Sequence, residues 1–279
     1  MNSKFARRLQ SSTWRISSSA AAAGSVMGSS YRAAGAFRKR GVISRLSDLI
    51  WPPRSLLSDA IVDRPGVIEA GLWSELKFLA DPQCACCGFP LPDGGNPRDI
   101  CGACAGRKPA YDTARAALAY EDHTRRLILD LKRGGRRDGL PVFAKWMSAA
   151  AAEQLAKADF VAPAPMHWTR LAARSFNQAA WLAQAVARAG GKPWKPGALT
   201  RVKRRKSQAG LSASERRRNV GGAIKAFGSY KGKTVLVVDD VFTTGATLEA
   251  CARALRKAGA AEVHAVTLAR VVRPMDISI

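Results

Sequence analysis

The run Val235-Leu236-Val237-Val238-Asp239-Asp240-Val241-Phe242-Thr243-Thr244-Gly245-Ala246-Thr247 constrains the fold more than any other stretch of this chain. Consecutive aliphatic residues bounded by polar ones predict a strand buried on both faces, as strands are in a parallel sheet. A loop of small residues follows at the strand's carboxyl end. From Ala246 the apolar positions Leu248, Cys251 and Leu255, followed by Arg256, Lys257 and Gly259, predict a helix that closes on a glycine C-cap. The loop therefore feeds a helix N-terminus, whose unpaired amides carry partial positive charge and suit an anion. Gly245 and Ala246 keep bulky side chains away from such an anion, and Thr243, Thr244 and Thr247 add hydroxyl donors. Cys251 reads as a buried core thiol on the same helix.

Two adjacent carboxylates in front of an anion site would repel the anion if they faced it. Asp239 and Asp240 fit beside it, accepting hydrogen bonds from vicinal sugar hydroxyls, directly or with a hard cation such as Mg²⁺. The implied ligand is a sugar phosphate. A plainer reading, in which the Asp residues only cap the next turn, leaves the order of strand, acid pair, Thr-Thr-Gly loop and helix unexplained. The run resembles the 5-phosphoribosyl 1-pyrophosphate (PRPP) motif of type I phosphoribosyltransferases. That resemblance implies that Asp239 and Asp240 are the catalytic pair that binds the ribose hydroxyls, while Thr243, Thr244, Gly245, Ala246 and Thr247 hold the 5-phosphate.

A second strand-to-loop junction lies at Phe160-Val161-Ala162-Pro163-Ala164-Pro165-Met166-His167, before Arg170, Arg174, Ser175, Phe176, Asn177 and Gln178. Ligands of parallel sheets gather at the carboxyl ends of strands, so this junction is expected to face the same crevice as the Asp239 loop. Arg170 and Arg174 share one helical face and suit bidentate contact with a phosphate or pyrophosphate; a solvent-facing Arg pair is the alternative. The run from Arg201 to Asn219 is denser still in cations. Arg204, Arg205, Gln208, Arg216 and Arg217 read as a mobile lid over an anionic ligand or as a strip along a nucleic-acid backbone, with a solvated helix face as the bland alternative.

Cys84-Ala85-Cys86-Cys87-Gly88 and Cys101-Gly102-Ala103-Cys104 form two C-x-x-C knuckles. Cys84, Cys87, Cys101 and Cys104 can converge on one tetrahedral Zn²⁺, and four thiolates would leave it no open position, so the metal is expected to be structural. Disulfides would need an oxidising compartment that no signal peptide supports, and redox chemistry would need only one knuckle. Cys86 is the ambiguous member, able to stand in for a neighbour.

The chain has 279 residues, 47% of them hydrophobic, which suggests one main domain plus a smaller one. Lys and Arg number 45 against 21 Asp and Glu, a formal charge of +24. Such an excess favours polyanionic partners, nucleic acid among them, although a solubilising surface or an Arg-rich genome would give the same total. Residues 1–48 are expected to be a disordered basic extension rich in Ser, Arg and Ala, with an organelle transit peptide as the alternative. We then expect a connector over 49–80 with a short helix between Val67 and Leu79, a zinc-ribbon module over 81–110, an α/β domain over 111–273 and a tail over 274–279. Within the α/β domain the pattern predicts a strand over Ala114–Tyr120, helices over Glu121–Lys132 and Leu140–Leu155, and core roles for Phe143, Trp146 and Met147. No apolar run is long enough for a membrane span.

The paired knuckles, Leu127-Ile128-Leu129-Asp130-Leu131-Lys132-Arg133-Gly134-Gly135, Pro163-Ala164-Pro165, Phe176-Asn177-Gln178, Gln208-Ala209-Gly210-Leu211, Glu215-Arg216-Arg217-Arg218-Asn219 and the PRPP motif together resemble the ComF family, in that order, from about Cys84 to Arg270. Ser175 stands where that family often has Gly. The resemblance implies a type I phosphoribosyltransferase-like parallel sheet with flanking helices, preceded by a zinc ribbon. It also implies a cytoplasmic protein that binds PRPP or another ribose phosphate with Mg²⁺ and handles incoming single-stranded DNA in natural transformation, near DNA-uptake and recombination proteins. An active transferase acting on a base or amine is the alternative.

Overall fold

In the computed structural model, residues 52–58, 60–133, 136–166, 176–202 and 224–272 are described. The core is a four-stranded parallel sheet of β1 (Thr113–Ala119), β2 (Phe160–Pro163), β5 (Thr234–Phe242) and β6 (Glu262–Arg270), in the order β1-β6-β5-β2. Two short strands, β3 (Leu199–Arg201) and β4 (Ile224–Ala226), pair antiparallel beside it. The helices are α1 (Ala70–Trp73), α2 (Gly102–Gly106), α3 (Asp122–Arg133), α4 (Leu140–Ala150), α5 (Ala152–Lys157), α6 (Gln178–Ala189) and α7 (Ala246–Lys257).

The aliphatic run that predicts a doubly buried strand is the interior strand β5, hydrogen-bonded in parallel to β6 on one side and β2 on the other. Its side chains alternate between two cores, as the pleat requires. Leu236 and Val238 join Leu127, Ile128, Met147, Leu182 and Val186 on the face covered by α3, α4 and α6. Val235 and Val237 join Leu248, Cys251, Leu255 and Tyr230 on the face covered by α7. Each buried Val or Leu stabilises by about 1.5–3 kcal/mol, so a strand that feeds both cores anchors the whole sheet.

The cysteine knuckles pack into the second core, beside Tyr111, Val237 and Phe242. On the opposite face, Trp146 meets Trp73 and Phe78 edge-on, at ring-centroid distances of 5.6 and 5.3 Å. Phe143, Trp146 and Met147 are core residues, as their pattern suggests. The sequence patterns overreach in two places. The continuous helix expected to Leu155 breaks at Ala151 (φ −121°, ψ 36°), which is fully buried and turns the chain into α5. The helix expected between Val67 and Leu79 is reduced to the single turn Ala70–Trp73, after which Phe78 bridges to Leu118 at the sheet edge.

The topology also sets where a crevice opens. Chain leaving β2 runs on to α6 on one face of the sheet, and chain leaving the adjacent β5 enters α7 on the other. Where neighbouring strands send their connections to opposite faces, a cleft forms at their carboxyl ends.

Candidate functional site

A cleft of about 240 Å³ lies at that point, lined by Ala164, Pro165 and Met166 after β2, by Asp239, Asp240, Val241 and Thr243 from β5 and its loop, and by Thr247 in α7. Lys132, Arg201, Asn177, Gln178 and Ala179 complete the wall. The two strand-to-loop junctions singled out in the sequence thus share one crevice.

The acid pair occupies the end of β5, with successive side chains turned toward opposite faces. Asp240 is ion-paired with Lys132 at the end of α3, Nζ to Oδ2 2.7 Å, and both side chains are largely shielded from solvent. Asp239 accepts the backbone N–H of Asp240 at 2.9 Å. Burial, and next the charge of Asp240, push the Asp239 carboxyl up to about 7, against partial relief from that N–H, Lys132 and Arg201.

The loop behind the pair turns at Gly245, the N-cap of α7, with φ 75° and ψ 0°. That left-handed conformation suits glycine, and a Cβ here would also stand 2.9 Å from Cζ of Phe242. The Thr244 hydroxyl accepts the Ala246 N–H at 3.4 Å, while Thr243 and Thr247 face the cleft. Across it, Asn177 caps α6: its Oδ1 accepts the Ala179 N–H at 3.0 Å and its Nδ2 donates to the Ala164 carbonyl at 3.2 Å. This ties the loop after β2 to the helix. Gln178 is buried, and its Nε2 has no hydrogen-bond partner among the described residues; the same holds for Nε of Arg201. Buried donors without acceptors are costly, and two on one cleft wall suit an acceptor-rich ligand.

Lys132, Arg201 and Gln178 were not marked by sequence reasoning as site residues, although the cation-Gly-Gly ending of α3 and the motif Phe176-Asn177-Gln178 are visible signals. Arg170, Arg174, Arg204, Arg205, Gln208, Arg216 and Arg217 lie outside the described residues, as does the basic extension.

The second cluster is the cysteine knuckle. The Sγ atoms of Cys84, Cys87, Cys101 and Cys104 all lie within 4.8 Å of one another, and all four residues are buried. Sγ of Cys87 and Cys101 are 3.6 Å apart, far beyond a disulfide and close to the edge of about 3.8 Å that ~2.3 Å Zn–S bonds give a tetrahedron. Burial pushes the Cys84 thiol up, but N–H donors of Cys87, Cys101 and Cys86 outweigh it and bring it down to about 7. Cys101 N–H, at 3.2 Å, and Cys87 N–H, at 3.4 Å, point at its sulfur. The set fits a structural Zn²⁺ held by thiolates. Cys86, the alternative ligand, is outside the cluster and half-buried. Cys251 is a fully buried core thiol.

Residues 173–274 match the phosphoribosyl transferase domain family and residues 46–105 the double zinc ribbon domain family. The sheet and cleft therefore belong to a type I phosphoribosyltransferase domain that follows a zinc-ribbon module. Among the described residues, no helix is long and apolar enough to cross a membrane. The chain is 30% identical over 194 residues to the DNA utilization protein YhgH of Salmonella typhi, covering 68% of this chain and 84% of that protein. An orotate phosphoribosyltransferase structure from Aeropyrum pernix aligns with 55% of this chain and 68% of its own at 21% identity, with a TM-score of 0.31 too low to weigh. Competence protein F of Haemophilus influenzae is 30% identical over 209 residues, covering 72% of this chain and 89% of that protein. Kinship at this level, reaching over most of competence protein F, makes the chain a member of the ComF family.

Proposed function

We propose that the cleft binds PRPP or another ribose phosphate, and that the protein works in the cytoplasm on incoming single-stranded DNA during natural transformation. One observation carries the ligand reading: an acid pair and a left-handed Gly245 loop meet at the N-terminus of a twelve-residue helix on one cleft wall. In this reading the 5-phosphate takes the amides at the start of α7 and the hydroxyls of Thr243, Thr244 and Thr247. Asp239 and Asp240 accept hydrogen bonds from the ribose hydroxyls, and Lys132 gives up its pairing with Asp240 to meet the ligand's own negative charge. Mg²⁺ arriving with PRPP would neutralise its pyrophosphate. Arg170 and Arg174 are proposed to contact the same group, and Arg204, Arg205, Gln208, Arg216 and Arg217 to close over the site or follow a DNA backbone.

The DNA part of the proposal draws on the printed names of the relatives, a DNA utilization protein and a competence protein, together with the formal charge of +24. Phosphoribosyl transfer to a base or amine is the second reading. It is favoured by Lys132 and Arg201 on the cleft wall, where they would stabilise a departing pyrophosphate.

Calorimetric titration of PRPP with Mg²⁺ into the zinc-loaded protein, beside the Asp239→Asn/Asp240→Asn variant, tests the ligand reading. Binding by the parent that is lost in the variant is the expected result, and a screen for pyrophosphate release with candidate acceptors then tests transfer. No binding by either protein would refute the ribose-phosphate reading and leave a phosphate-binding scaffold for DNA, checked by single-stranded DNA affinity that falls as salt rises.

A further inference from the structure

Arg270 ends β6 with only 7% of its surface exposed, an expensive place for a permanent cation. Among the described residues no carboxylate pairs with it. Its Nη1 donates to the Cys87 carbonyl, and its Nη2 lies 3.6 Å from Cys87 Sγ. The guanidinium lies over two rings, 5.2 Å from the centroid of Phe89 and 4.2 Å from that of Phe242. Four thiolates around one Zn²⁺ would carry a net charge of about −2 beside it, a counter-charge for the buried guanidinium.

Phe242 continues the path. It is paired in register with Arg270 across β5 and β6, and its carbonyl accepts the Val271 N–H at 2.9 Å. Tyr111 meets its ring edge-on, with centroids 6.4 Å apart, so the ring is held from two sides. The backbone of Gly245 rests on that ring, too close for even a methyl group to fit between. Cys87, Arg270, Phe242 and Gly245 therefore form one packed series from the metal centre to the phosphate loop.

We infer that Arg270 is a positioning residue that couples the zinc–thiolate centre to the phosphate loop, so that the loaded knuckle sets how firmly the loop holds an anion. The inference rests on the reading of the Thr243–Thr247 loop as a phosphate site. Removing the metal releases Cys87 from the cluster, and Arg270 then loses the fixed carbonyl and sulfur that hold it. It moves toward solvent, the stack on Phe242 loosens, and the loop loses its floor. By linkage, a phosphate on the loop must tighten the hold on zinc by the factor by which zinc tightens the hold on phosphate.

The test uses the full-length zinc-loaded chain, its Arg270→Gln variant, and ribose 5-phosphate as the probe. In Arg270→Gln we expect one zinc per chain to be kept, faster hydrogen exchange over 239–250 but not over 140–150, and ribose 5-phosphate affinity weakened about tenfold. In the parent, ribose 5-phosphate should slow zinc transfer to a chromogenic chelator, and in Arg270→Gln it should not. A variant that keeps its zinc with loop exchange and ligand affinity like the parent's overturns the inference. So does a parent that binds the probe with zinc release unchanged. If Arg270→Gln fails to hold zinc, Phe242→Leu replaces it, since it leaves the Arg270 contact with Cys87 in place while removing the ring under Gly245. Failure of the parent to bind ribose 5-phosphate refutes only the phosphate reading, because local loop exchange in the zinc-loaded variants still decides the coupling.

Discussion

Asp239 and Asp240 are neighbours in sequence with different surroundings, because a strand turns successive side chains to opposite faces. Asp240 meets the Lys132 ammonium, whereas Asp239 sits over α7 with mainly a backbone N–H and more distant cations for relief. Burial first and the Asp240 charge second raise its folded-state pKa to about 7, while in the unfolded chain it titrates near ~4. The folded protein thus holds a proton that the unfolded chain releases. The stability this carboxyl contributes is complete below about pH 4 and is lost as the pH rises through about 7. Asp239→Asn cannot lose that proton, and its side-chain oxygen can still accept the Asp240 N–H. We predict that melting curves at pH 5 and pH 8 show the variant more stable than the parent at pH 8 by about 1–3 kcal/mol, roughly 2–10 °C, with the gap at pH 5 reduced to less than half of that. Equal gaps at both pH values would mean that burial and the Asp240 charge do not raise the Asp239 pKa.

At the scale of elements, the β5–loop–α7 unit rests on Gly245, and two independent constraints meet there: a φ of 75° and a ring beneath the Cα. Gly245→Ala should cost about 1–2 kcal/mol from the backbone alone, and more once Phe242 has to shift. Urea unfolding together with ribose 5-phosphate titration checks this; we expect a lower midpoint and weaker binding, and unchanged binding would mean that the loop backbone does not receive the phosphate. This unit was legible in the sequence because its information is local: aliphatic run, acid pair, small-residue loop and helical spacing follow without a break. The cysteine set was legible for the same reason, as the spacing within each knuckle names its members. Strands β3 and β4 were not, because three-residue strands have no periodicity to read and their pairing depends on α7 packing beside them. Lys132 and Arg201 were missed as cleft residues for a related reason. Each lies at or next to the end of an element with an ordinary surface pattern, and only the folded sheet brings either one to Asp240 or Asp239.

For the molecule as a whole, the question is whether the zinc module is an appendage or part of the α/β domain. Cys84, Cys87, Cys101 and Cys104 belong to the same apolar core as Val235, Val237, Leu248 and Val263, rather than to a core of their own. Backbone ties add to this: the Ala114 N–H donates to the Cys86 carbonyl at 2.7 Å, joining the knuckle to β1. Glu249 in α7 accepts the Ala110 N–H at 2.8 Å and pairs with Arg107 at 3.1 Å, which fastens the far end of the module to the helix that follows the Gly245 loop. A unit this small has little apolar surface to bury by itself, so its order depends on the metal and on the sheet face together. Binding energy from zinc then becomes folding energy for both parts. We predict a single calorimetric unfolding transition for the zinc-loaded protein, and a chelator should lower its midpoint as a whole instead of detaching an early step. Two separate transitions, with the later one indifferent to chelation, would show that the sheet folds without its knuckle and that the shared core on the α7 face contributes little to either.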